Sequence, residues 1–358
     1  ILCIFQLAIL WIFALQLSTF LFYNKHVMKK HTVIIFFSVT IIIFSIVFYY
    51  FSIIKQDNII NQVSQINDPI SANEKEKLFK NPYIPNGFKS VDIGESNWSK
   101  NDQGYVNWNK GLVIEDILNG NQFVWVPVNQ NEVTYNNLEN LGKAKIDLTD
   151  KDRNQIDENG GFYIARYECG VPKEKNEQLE NINKSTNDVS GIPVSQQGSR
   201  PWNYISFDNA QKNAMLMYDH EDTHSEIVSE AFWNITMQWL RNSGYDVDKD
   251  SNGFGNYSNS YFSFSGLYSS DYGKTYSFKE AGEKEDKNLI LATGIASRHV
   301  TNNIYDLAGN LNEFVNGKKA VVYGGNYDNI SKAAANSYLN ISEANDKQGF
   351  RVTLYHNE

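Results

Sequence analysis

The chain has 358 residues, 42% of them hydrophobic and 14% aromatic, and carries a net charge of -9. That is enough apolar material for one sizeable core with a smaller satellite. The acidic balance excludes phosphate-backbone binding as a main task, because a nucleic-acid partner needs a basic face to displace counterions.

The first 54 residues hold two apolar runs, 1–23 and 32–54, and the second has no charge at all. Either is long enough, at about 1.5 Å per residue, to cross a hydrocarbon core of about 30 Å. The stretch between them, NKHVMKKH, is basic. Two readings stay open. In one, both runs are transmembrane helices in a hairpin around a cytoplasmic turn. In the other, 1–27 lies upstream of a true start at Met28, and 28–54 is a signal anchor with a basic leading region. Lys25, Lys29 and Lys30 precede the second run, so in both readings the positive-inside rule puts the residues after 55 outside the cell. Residues 55–80, polar and rich in Asn, Gln, Asp and Lys, read as a tether.

Residues 81–358 read as one outer domain. A short extended run ends near Val91, and 97–111 is a polar aromatic loop. The runs 112–116 and 123–128 flank LNGNQ, whose Asn-Gly pair predicts an antiparallel hairpin. Residues 129–160 are polar and charged and read as an insertion loop, 162–167 as a strand, and 172–201 as a mobile loop. Two helices are predicted, 206–218 and 229–242. Each starts on a Ser able to cap free N–H groups and carries apolar residues at helical spacing. Beyond Leu240 the chain turns to Gly, Asn, Ser and Tyr, so many short strands joined by loops are expected there.

Several ordered motifs lie on these elements. They are FVWVPV at 123–128, GFYIARYECG at 161–170, PWNYISFDNAQ at 201–211, SEAFWNITMQWL at 229–240, NIYDLAGNLNEF at 303–314, VYGGNY at 322–327 and GFRVTLY at 349–355. Together, over about 86–356, the chain resembles the formylglycine-generating-enzyme, or sulfatase-modifying-factor, family. The resemblance implies an α+β, C-type-lectin-like fold with two helices, short antiparallel strands and long loops, here preceded by one or two transmembrane helices.

Active members of that family oxidise a cysteine of a client protein with copper(I) and oxygen, held by two cysteines between the GG turn and the closing GFR. Two soft thiolates suit copper(I), which carboxylates and amides hold poorly. Here 326–348, NYDNISKAAANSYLNISEANDKQ, contains no cysteine, and the chain's two cysteines are Cys3 and Cys169. The catalytic thiols do not carry over.

Calcium is the cofactor the resemblance still implies. DKDSNG at 248–253 matches the first half of a calcium loop, so Asp248, Asp250 and Asn252 are candidate ligands, although position twelve is Asn259 and not Glu. Asn310 and Glu313 are candidate donors in the signature, with hydrogen-bonded turns as the plainer role. HEDTH at 220–224 matches the zinc-protease pattern H-E-x-x-H, but its polar surroundings favour an interhelical loop. No nucleophile elbow, phosphate loop or dinucleotide fingerprint occurs.

The expected function is therefore a membrane-anchored, outward-facing, non-catalytic domain on a bacterial surface. Its expected partners are the membrane and a carbohydrate or protein ligand. The Tyr- and Asn-rich loop set between Asn252 and Tyr272 supplies stacking faces and adaptable hydrogen bonds for it. The alternative is an oxidoreductase of the formylglycine-generating type, or another enzyme using the scaffold with a different metal site.

Overall fold

The alternation along strands 122–127 and 161–165 organises the domain in the computed structural model, which describes residues 82–91, 111–128, 148–172, 188–220, 222–284, 288–317, 321–338 and 344–356. All of them belong to one compact unit, Ser71–Glu358. The two apolar runs, the tether, the aromatic loop at 97–110 and Cys3 lie outside the described residues. Among those described, no helix is long and apolar enough to cross a membrane.

Among the described residues the fold is mostly β with three α-helices. The main sheet holds β1 (Phe88–Ser90), β2 (Val113–Asp116), β3 (Gln122–Pro127), β4 (Gly161–Ala165), β5 (Thr223–Ile227) and β15 (Val352–His356). Its order is β1-β2-β3-β4-β15-β5, antiparallel throughout, so the last strand of the chain lies between two earlier ones.

Both faces of this sheet are buried. Side chains alternate along a strand, and Phe123, Trp125, Tyr163 and Ala165 join one core cluster while Val124, Val126, Phe162 and Ile164 join the other. That double burial explains why FVWV and FYIA are continuously apolar in place of the one-sided pattern of a half-exposed strand.

Each face has its helix. Ser206 and Ser229 cap α2 (Phe207–Met217) and α3 (Glu230–Asn242), each hydroxyl accepting from an N–H three residues on, as the sequence predicts. Ala210, Ala214 and Met217 of α2 pack on the Trp125 face. On the other face Phe232 of α3 stacks on Phe162 with ring centroids 3.8 Å apart and 2° between planes.

A third helix, α1 (Asp150–Asn159), corrects the expectation of a loop over 129–160 and of only two helices. Thr149 and Asp152 form a reciprocal capping box, and Gly160 closes the helix at φ +76°. α1 is polar, and Ile156 is its one hydrophobic residue in the core. Cap chemistry defines it where an apolar stripe does not.

The C-terminal half builds smaller sheets. β6 (Ser263–Ser269), β7 (Ser277–Glu283) and β8 (Ile290–Leu291) pair in the order β7-β6-β8. β9 (Val300–Thr301) and β10 (Ile304–Tyr305) form a ribbon, preceded by a 3-10 turn at Ser297–His299. β11 (Asn312–Val315), β12 (Val321–Tyr323), β13 (Asn336–Tyr338) and β14 (Gln348–Phe350) form a sheet of order β13-β12-β11-β14, with β11 and β14 parallel. The segment expected to be a mobile loop is tied down at its described end. Over 188–201, Gly170 bridges both Val194 and Pro201, and Ser195 is fully buried.

Candidate functional site

The signature motif forms a buried polar knot. Asp306 and Asn310 take left-handed φ of 56° and 58°, which their short polar side chains tolerate. Gly309 between them cannot be replaced. A Cβ there would lie 2.2 Å from the Asn256 carbonyl oxygen.

Asn310 spends its whole amide inside the protein. Its Oδ1 accepts from the Asn256 amide (3.0 Å) and the Leu291 N–H (2.9 Å), and its Nδ2 donates to Glu168 Oε2 (2.6 Å) and the Leu291 carbonyl (3.2 Å). The Leu311 N–H donates to the other Glu168 oxygen at 3.1 Å. Burial, with Asp306 and Glu313 nearby, pushes the Glu168 carboxyl well above the usual carboxylate range. Beyond Asn256, the Lys284 ammonium donates to Asn256 Oδ1 at 3.0 Å and to the Tyr257 carbonyl.

Arg351 lies between β14 and β15, where the chain passes from one sheet to the next, and is fully buried. Its guanidinium grips Glu313 of β11 through Nε (2.9 Å) and Nη2 (2.6 Å), and donates to the carbonyls of Ala165 (2.9 Å) and Tyr305 (2.8 Å). One side chain thus joins three sheets.

The candidate calcium ligands have partners within the protein. Asp248 is forked onto Arg241, with Nη2 to Oδ1 at 2.6 Å. Asp250 accepts the Asn252 N–H at 3.2 Å and the Asn259 amide at 2.6 Å, a local turn. Asn310 and Glu313 are engaged within the knot and with Arg351. Among the described residues, no group of three or more His, Cys, Asp or Glu side chains is placed to hold a metal ion.

Copper(I) does not fit the donors present. The cysteine among the described residues, Cys169, is 1% exposed, and burial pushes its thiol well above the usual range. It has no second thiol beside it among the described residues, and its N–H donates to the Phe350 carbonyl at 2.8 Å. Such a thiol holds its proton and is a poor ligand.

HEDTH is part of a β-hairpin, which corrects the loop expected there. Asp219 pairs with His224, and His220 N–H donates to the Thr223 carbonyl at 2.9 Å, so β5 begins inside the motif. Paired residues of an antiparallel ladder share a face and successive ones alternate. The motif therefore lies on a strand hairpin and not on the single helical face that H-E-x-x-H zinc chemistry uses, although His220 and His224 both line the cavity beside it. His224 stacks on Tyr355 at 5.3 Å, and burial lowers its pKa. A cavity of about 600 Å³ lies beside this hairpin, with Lys212, Met215 and Leu216 of α2 along it.

A second, open cavity of about 560 Å³ collects residues from four separate segments: Tyr204, Tyr272, Asp328, and the run Asn345, Asp346 and Lys347. Six non-glycine residues among those described have left-handed φ. Four are Asn or Asp. The other two, Tyr204 (54°) and Tyr272 (66°), both line this cavity. A bulky side chain in that region costs about 1–2 kcal/mol and persists only where its surroundings force it.

Those surroundings are visible. Tyr204 N–H donates to the Asn345 carbonyl at 2.8 Å, and Asn203 Nδ2 donates to the carbonyls of Tyr272 (3.4 Å) and Asp346 (3.1 Å). Lys347 is paired with Asp328, and Asp346 accepts the Tyr327 hydroxyl. Tyr204 is only 6% exposed, and what remains open of it faces this cavity. Burial, followed by the charges of Asp346 and Asp271, pushes its pKa up to about 12.

No family model matches the chain, and no curated protein sequence does. Solved structures give slight likenesses. PvdO from Pseudomonas aeruginosa is 16% identical over 69% of this chain and 98% of its own, with a TM-score of 0.37. CarF is 14% identical over 55% and 87%, with a TM-score of 0.31. Treponema denticola variable protein 1 is 12% identical over 75% and 99%, with a TM-score of 0.29.

Sequence reasoning places Tyr204 inside a motif and Tyr272 at the end of a Tyr-rich loop set, but gives no sign that they meet. Asp346, Lys347 and Lys284 escape it altogether. The usable signal is Asn345-Asp346-Lys347, charged residues just before GFR where the resembled family carries its catalytic thiols.

Proposed function

We propose that this chain is a non-catalytic recognition domain on a scaffold of the formylglycine-generating type, held at the outer face of a membrane by its apolar N-terminal run. The cavity between Tyr204, Tyr272 and Asp346 is its ligand site. The observation that carries this reading is the pair of left-handed tyrosines in one open cavity, because strain of that kind accumulates at ligand clamps. Three further features support it: the ordered motifs of the family, the absence of thiols between the GG turn and GFR, and the consumption of the signature's acids by internal hydrogen bonds. The positive residues before Thr32 support the outward orientation.

The test has two arms. The full chain and its Tyr272→Ala variant are applied to glycan and cell-wall arrays, where saturable binding lost in the variant is expected. In parallel, a peptide with the sulfatase-type Cys-x-Pro-x-Arg motif is incubated with the chain, copper(I) and oxygen, and its mass followed. Conversion of the peptide cysteine to the aldehyde overturns the non-catalytic reading.

A further inference from the structure

Three places besides the signature turn carry chemistry: the cavity beside the 218–225 hairpin, the buried ammonium of Lys284, and the tyrosine-lined cavity. The hairpin cavity is lined by both His220 and His224, but no group of three or more metal-ligating His, Cys, Asp or Glu side chains forms there among the described residues, and Lys284 already donates to Asn256 and Tyr257. The tyrosine-lined cavity carries unspent groups of complementary kind.

Its charges do not cancel. Lys347 is the one cation among its lining residues and is already paired with Asp328. Asp346 spends one oxygen on the Tyr327 hydroxyl, and its net charge is left for the cavity. Asp271, next to Tyr272, adds its field at the Tyr204 ring. The half-exposed ring of Tyr272 thus stands in a cavity whose lining carries a net negative charge.

The second observation concerns Tyr204. Its side chain is 6% exposed and lines the cavity, and its hydroxyl is not among the sealed, unpartnered polar atoms, so it stays open to whatever occupies the cavity. A phenol hydroxyl so placed can exchange water for a polar group of a ligand. Tyr272, by contrast, is 51% exposed at the rim and presents its ring to whatever enters.

We propose that this cavity takes an organic ammonium group, primary or quaternary, carried on a larger ligand, with Tyr272 supplying the ring face, Asp346 the counter-charge and Tyr204 a polar contact at depth. The assignment rests on the recognition reading of the same cavity. The cation is held by ring quadrupole and carboxylate together, which neutral ligands of the same shape do not exploit.

The probes are choline and its neutral carbon isostere 3,3-dimethylbutan-1-ol, with Nα-acetyl-lysine methylamide and its Nε-acetylated form as a second pair. They are titrated by calorimetry into the full chain in a polyoxyethylene detergent, whose headgroup carries neither charge nor sugar. Saturable binding of either cation, with its neutral partner about tenfold weaker or more, is expected. The ratio of the two cations tells a choline-bearing ligand from an amine-bearing one. Asp346→Asn keeps an acceptor for Tyr327 and should weaken the cation about tenfold while flattening the difference from the isostere. Tyr204→Phe keeps the ring and the cavity and should weaken binding less.

Equal binding of cation and neutral isostere, or no cation binding in a chain that unfolds cooperatively, overturns the assignment. Saturable binding of a neutral glycan that Tyr272→Ala abolishes, with no response to either cation, overturns the ammonium and leaves the recognition reading standing. Aldehyde formation in the peptide assay overturns the recognition reading instead.

Discussion

Lys284 and Glu168 are linked through two buried amides. The ammonium donates to Asn256 Oδ1 (3.0 Å), the Asn256 amide donates to Asn310 Oδ1 (3.0 Å), and the Asn310 amide donates to Glu168 (2.6 Å). The donors all point the same way, so the two amide dipoles lie head to tail between a cation and a carboxylate. Such chains polarise one another in a low-dielectric interior. The link ties the end of β7 to the signature turn, and β7 with β6 forms the hairpin that carries Tyr272.

Lys284→Met should therefore destabilise the domain by about 1–3 kcal/mol, because Asn256 Oδ1 and the Tyr257 carbonyl lose their donor. Burial lowers the pKa of Lys284 from 10.5 to about 8. The unfolded chain then holds this proton more tightly than the folded one, so stability from this group rises with pH between those two values. Urea unfolding at pH 7 and pH 9.5 should show that rise in the wild type relative to Lys284→Met. Parallel pH dependences would refute the assignment of the charge to this site.

Arg351 and Glu313 make the second test. Removing the guanidinium leaves a buried carboxylate and two carbonyls, those of Ala165 and Tyr305, without donors. Arg351→Met should cost about 3–5 kcal/mol. Adding Glu313→Leu should recover much of that loss, and a double-mutant cycle in urea measures it. Losses that simply add would show that the pair is not coupled.

Tyr272→Gly separates strain from stability. Glycine takes φ of 66° without the Cβ penalty, and the tyrosine is half exposed, so little packing is lost. Thermal stability should stay level or rise by up to about 1 kcal/mol, while binding to the array ligand falls. A clear loss of stability would mean that the ring is a packing element.

Calcium offers a fourth check. The oxygens of Asn310 and Glu313 are committed to internal partners, and Asp248 to Arg241. Calcium at a hundredfold excess over a real site's Kd would add about 2.7 kcal/mol. Unfolding of the domain in calcium and in chelator should coincide. A calcium-dependent shift would identify a site that these partners give up.

The hairpin at 112–128, the Ser caps of α2 and α3, and the lack of paired thiols near GFR are all legible in the sequence. Each is local: a turn pair, a cap three residues from its donor, a residue type present or missing. The helix at Asp150–Asn159 has a local signal too, Thr149 and Asp152 as a capping box with Gly160 as the stop, but the lack of an apolar stripe hides it. The ladder inside HEDTH is hidden for another reason. A spacing of four reads the same in a helix and in a hairpin, and pairing with β15 at the far end of the chain chooses the hairpin.

By itself the sequence determined a β-rich domain with capped helices, strands apolar on both faces, a turn-rich C-terminal half and a donor set unsuited to copper(I). These features come from short-range periodicity and side-chain chemistry. Only the tertiary structure decided that Arg351 would join three sheets, that Lys284 would reach Glu168 through two amides, and that Tyr204, Tyr272 and Asp346 would enclose one cavity. Those contacts bridge segments tens to more than a hundred residues apart. Their partners are chosen by how the sheets close and by which polar groups are left to satisfy inside, and no local pattern encodes that choice.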